Sequence, residues 1–73
     1  MKVEINLNNN KAVIKETNNL VNIFQEFDPQ EIESVVYTEG DITTFAKPAK
    51  INNEWSFKIT GKYNNRTGEF EYV

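Results

Sequence analysis

The chain contains no cysteine and no histidine. Without thiols there is no disulfide framework, no thiolate zinc site and no cysteine nucleophile. Without imidazole the commonest metal ligand, the usual general base and the side chain that titrates near neutral pH are all missing. Glycine and proline are scarce, at three and two in 73 residues, and no glycine sits in a phosphate-cradling loop or a dinucleotide fingerprint. Serine and threonine hydroxyls have only lysine or carboxylate as a base, and nothing resembles a nucleophile elbow. The expectation is a protein that is not an enzyme and needs no cofactor. No segment reaches the ~18–20 continuous apolar residues of a membrane span, and the N-terminus has no signal-peptide core. A soluble, cytoplasmic protein is expected, with no membrane partner.

What the chain does have is an uneven distribution of charge. The formal net charge is −3. Glu16 to Asp41 holds seven acids (Glu16, Glu26, Asp28, Glu31, Glu33, Glu39 and Asp41) and no Lys or Arg. Ile42 to Gly68 holds five basic residues (Lys47, Lys50, Lys58, Lys62 and Arg66) against one acid, Glu54. Opposite fields on two parts of a small domain steer partners without deciding the fold. The richness in Asn, Lys and Ile is a bias associated with AT-rich genomes, phages and mobile elements among them.

Residues 1–73 are expected to form a single domain with one small core. Val3, Ile5 and Leu7 alternate with Lys2, Glu4 and Asn6, the pattern of a half-buried strand. Asn8-Asn9-Asn10 signals a turn, and Ala12 to Lys15 can return as a second strand. Leu20, Ile23, Phe24 and Phe27 then recur at i, i+3, i+4 and i+7 after Thr17, a candidate N-cap, and predict an amphipathic helix of about three turns. A rival helix starts near Lys11, because Val13, Thr17, Leu20, Phe24 and Phe27 also share a stripe. Asp28-Pro29 ends the helix and offers a cap for one further helical turn.

From Glu33 the chain turns β-branched and aromatic, with a hairpin expected around Gly40. Lys47-Pro48-Ala49-Lys50 reads as a break. The run Glu54 to Val73 reads as a hairpin turning at Asn64-Asn65, which pairs Ile59 with Phe70, Phe57 with Tyr72, Lys58 with Glu71 and Gly61 with Gly68. In that register Trp55, Phe57, Ile59, Phe70 and Tyr72 share one buried face. The fold class expected is α+β, in the order ββαββββ, with the helix on one face of an antiparallel sheet. A small closed barrel plugged by the helix is the alternative.

Three functional readings follow. The first is a protein-binding module, a small phage- or mobile-element-type inhibitor or adaptor. It would engage the basic surface of a nucleic-acid-handling protein through the acidic residues 16 to 41. The clustered Asp28, Glu31 and Glu33 match no calcium-loop spacing, and a capping role accounts for Asp28 and Glu31. The second reading is a sheet-type binder of single-stranded nucleic acid using Lys47, Lys50, Lys58, Lys62, Arg66, Trp55 and Tyr63. The expected hairpin register counts against it, because Trp55 and Phe57 then face away from Lys58 and Lys62. The third is a subunit of a homo-oligomer joined through an edge strand.

Overall fold

A computed structural model describes residues 1–73. Six strands form one antiparallel sheet in the order β2-β1-β3-β4-β5-β6. They are β1 (Lys2–Leu7), β2 (Ala12–Glu16), β3 (Ile32–Glu39), β4 (Ile42–Ile51), β5 (Glu54–Asn64) and β6 (Phe70–Tyr72). β2 and β6 are the two edges, so the sheet is open and the barrel alternative does not hold.

The expected amphipathic helix is absent, and the α+β class is corrected to an essentially all-β sheet. Leu20–Gln25 forms a short 3₁₀ segment, and Pro29–Glu31 a single 3₁₀ turn. Two causes act together. Asn18, Asn19 and Asn22 offer the backbone competing hydrogen bonds. The cap falls on Asn19, whose side chain accepts from the Val21 amide, rather than on Thr17. Thr17 instead closes on Asn19, accepting from its N–H and donating to its carbonyl. The segment must also travel back along the sheet, from Glu16 opposite Lys2 to Ile32 opposite Leu7. Within that return the Asn19 cap and the Asp28-Pro29 stop leave only Leu20 to Phe27, about two turns, which is short for an α-helix. Asp28 does cap the following turn, accepting from Gln30 N–H at 3.0 Å.

This crossover is the only connection that is not a hairpin, and it covers one face. Ile23 of the crossover and Val3, Ile5, Ile32, Val35 and Ala46 of the sheet are all buried, with Met1, Leu7, Leu20, Phe24, Phe27, Tyr37 and Phe57 packed around them. Phe24 stacks on Phe57 at 4.6 Å between centroids, which ties the crossover to β5.

Tight turns join the other strands. Gly40 takes φ +60° at the first position of the two-residue β3–β4 loop. Asn52 and Asn53 take φ +52° and +65° between β4 and β5, as a type I′ turn requires. The expected break at Lys47–Lys50 does not occur, and β4 runs through Pro48 to Ile51. Beyond Ala46, β4 has β5 on one side and no strand on the other, the kind of position where a residue lacking an N–H is tolerated.

The last hairpin is also wider than expected. β5 continues to Asn64, and β6 pairs Tyr63 with Phe70, Lys62 with Glu71 and Gly61 with Tyr72. The Asn64 carbonyl side chain accepts from the Arg66 and Thr67 amides and organises a longer loop, in which Gly68 carries the positive φ of +79°. Lys58 consequently faces Lys47, not Glu71.

Candidate functional site

With one crossover and four hairpins, nothing is left to cover the second face of the sheet. The strand registers set a continuous row across it: Ile14, Glu4, Val36, Phe45, Gly61, Tyr72. A parallel row reads Thr38, Thr43, Tyr63, Phe70. Thr38 and Thr43 share a hydroxyl hydrogen bond of 2.7 Å, and Asn65 Nδ2 donates to Thr43 at 2.8 Å, which fixes the upper border.

A bulge decides which aromatics belong to this face. Phe45 pairs with Gly61 while Ala46 pairs with Ile59, so Thr60 is an extra residue in β5. Its hydroxyl donates to the Phe45 carbonyl at 3.2 Å. Below Thr60 the odd-numbered residues Phe57 and Ile59 lie on the core side with Ala46; above it, Gly61 and Tyr63 lie on the open side with Phe45 and Thr43. Phe70 and Tyr72 therefore sit on the open face, and the expectation that they share a buried face with Phe57 and Ile59 is corrected. They are 45% and 86% exposed. Phe70 packs on Phe45 at 5.7 Å and meets Tyr72 edge-on at 4.7 Å. The Phe70 ring lies over the buried Gly61, where a Cβ would stand 2.5 Å from Phe70 Cζ.

Two strand positions along β4 from Phe45 comes Lys47, directly opposite Lys58 on β5. Both are exposed and neither joins an ion pair; the two ion pairs of the molecule are Met1 ammonium with Glu16 and Lys15 with Glu26. The remaining members of the basic set are distributed elsewhere. Lys50 lies over Trp55, 5.7 Å from the ring centroid, and this cross-strand pair is on the core side of the β4–β5 ribbon. Lys62 faces Glu71 across the strands on the side of Thr44, and Arg66 is in the β5–β6 loop. Of the basic and aromatic candidates, Lys47, Lys58 and Tyr63 thus share the open face.

The acidic residues are not gathered into one surface. Glu16 is bound to the Met1 ammonium at 2.8 Å and Glu26 to Lys15 at 3.1 Å. The Glu16 carboxyl is held below its ordinary range, first by the hydrogen bond from the Met1 ammonium, with the charges of that group and of Lys2 helping and desolvation opposing. Asp28 caps the Pro29–Glu31 turn, Glu31 ends it, and Glu33 follows as the second residue of β3. Glu39 and Asp41 flank Gly40 at the opposite end. Six strand steps separate Glu33 from Glu39, roughly 20 Å.

Sequence reasoning, which sets Phe45 among the basic residues of a sheet surface, missed Gly61, Phe70 and Tyr72 as its companions there. The available signal was Gly61, since an isolated glycine inside a strand marks a bulge or a close approach, and here it marks both. No protein-family model, no curated protein and no solved structure matches the chain, so the site rests on its own geometry. No helix is long and apolar enough to cross a membrane.

Proposed function

We propose that this protein is a non-enzymatic binding module whose contact surface is the open face of the sheet, centred on Phe45, Phe70 and Tyr72. One observation carries the reading: an aromatic cluster placed outside the core, with Tyr72 86% and Phe70 45% exposed. Aromatic side chains are the residues that most often dominate binding energy at an interface. A small accessory inhibitor or adaptor of a nucleic-acid-handling machine is the role this module would fill. The acidic residues are divided between two ends and two ion pairs, so the aromatic face, rather than the acidic run, is proposed as the principal contact.

Site-specific photocrosslinking tests the surface. A photoreactive phenylalanine analogue at Tyr72 is expected to capture the partner in cognate lysate, while the same analogue at Asn10 in the β1–β2 turn captures nothing. Equal capture at both positions, or capture at Asn10 alone, would remove the open face as the contact. An adduct with a second copy of this chain would select the homo-oligomer reading instead.

The second reading, single-stranded nucleic acid, is favoured by a specific observation. The bulge at Thr60 brings Phe70 and Tyr72 to the side of the sheet that carries Phe45, Lys47 and Lys58.

A further inference from the structure

Lys47 and Lys58 are directly opposed across an antiparallel pair, on the face that carries the exposed aromatics. Like charges in that position oppose strand pairing, and no acid relieves them, since the only ion pairs are elsewhere. An anion bridging both ammonium groups would remove the repulsion. The nearest uncovered feature is aromatic. Gly61 lies three residues along β5 from Lys58, but one of these is the bulged Thr60, so the separation matches the two steps from Lys47 to Phe45 on β4, about 7 Å by strand rise. Phe70 and Tyr72 project beside it. An anion joined at this spacing to a flat, stackable group describes a nucleotide.

Resting on the open-face reading, we infer that the occupant of this face is a single-stranded nucleic acid, with its phosphates on Lys47 and Lys58 and its bases on Phe70 and Tyr72. A duplex does not fit, because its bases are stacked on one another and cannot reach the rings. The strand is confined to β4, β5 and β6, because Glu4 carries negative charge in the same row on β1. Charge complementarity is local. The protein as a whole is acidic, so long-range attraction contributes little and stacking supplies most of the affinity.

The salt dependence follows from the number of phosphates neutralised. Two contacts on a single strand give a slope of log K against log salt of about −1.4. The full chain is titrated with a fluorescent oligothymidine of a dozen nucleotides over a series of salt concentrations, with the corresponding duplex and a base-free polyphosphate as competitors. The expected result is saturable binding with that slope, poor competition by both competitors, and about tenfold loss for Tyr72→Ala with the slope unchanged. Lys47→Gln with Lys58→Gln is expected to flatten the slope toward zero. It should also raise the melting temperature of the free protein, which separates loss of binding from loss of fold.

Equal affinity for the base-free polyphosphate, or no effect of the lysine substitutions on affinity, would overturn the inference. The latter result would leave the lysines only the task of keeping open ribbon edges unpaired. Absence of oligonucleotide binding would overturn it too, and the Tyr72 photocrosslink then separates two cases. A nuclease-resistant protein adduct retains the open face with a protein as occupant, and no adduct removes both readings.

Discussion

Phe70 lies across Gly61, so closely that a β-carbon at position 61 would stand 2.5 Å from Phe70 Cζ and 2.9 Å from Cε1. The contact explains why the one glycine inside a strand is buried although it lies on the uncovered face. Phe70 fills the space that a side chain at 61 would occupy and reaches Phe45 beyond it.

Gly61→Ala should push the half-exposed Phe70 ring away and cost no more than the packing of that ring contributes, about 1–2 kcal/mol. In a Phe70→Ala background the same change should cost much less, because the nearest remaining atom is Glu71 O at 3.4 Å. Denaturant unfolding of the four-member cycle measures the coupling. Additive costs would mean that the ring does not lie over Gly61.

Burial ranks the core against the open face. Ile5 is fully buried, and Ile5→Ala should cost about 2–5 kcal/mol. Phe70 is nearly half exposed, and Phe70→Ala should cost about 1–2 kcal/mol, well short of full aromatic burial. Thermal or urea melts of the two variants check the order, and a larger loss for Phe70→Ala would return Phe70 to the core.

That ranking shows where sequence reasoning succeeds. Alternation identifies β1, and the turn residues identify the β3–β4 hairpin, because both depend on neighbours in sequence. The spacing of Leu20, Ile23, Phe24 and Phe27 correctly marks residues that pack inward, Ile23 buried and the other three partly so, but without the helix it predicts. Val35 and Ala46, both fully buried, were not distinguished from their neighbours by pattern. The side on which Phe70 and Tyr72 emerge depends on one extra residue, Thr60, and on a loop held by Asn64, neither of which alters the periodicity of the strand. Lys47, Lys58 and Tyr63 were legible as site candidates because charge and aromaticity need no register to be seen. Their grouping with Phe70 and Tyr72 needed the bulge.

The β4–β5 turn carries its own prediction. Asn53 holds φ +65°, a region that costs a β-carbon-bearing residue roughly 1–2 kcal/mol, less for Asn. Asn53→Gly should leave stability unchanged or raise it slightly. Asn53→Ala should lower it by about 1 kcal/mol. Equal melting temperatures for the two variants would show that the turn is not of this type.

The Glu16 pair predicts a pH dependence. The folded carboxyl is below its ordinary value of 4.5, so the unfolded chain binds protons first as the pH falls. The stabilisation is complete at neutral pH and is lost below 4.5, as the pH passes through the lowered folded value. Glu16→Gln should therefore be slightly less stable than the parent chain at pH 7, with the difference vanishing in acid. Melting curves from pH 7 to pH 2.5 measure it, and a difference that grows in acid would contradict the pair.

The most direct measurement is a map of backbone amide shifts during titration of the full chain with oligothymidine. The account predicts saturable changes at Phe45, Lys47, Lys58, Gly61, Phe70 and Tyr72, with Leu20–Gln25 on the covered face undisturbed. Changes centred on that crossover or on Glu31 and Glu33, with the open-face residues silent, would contradict it.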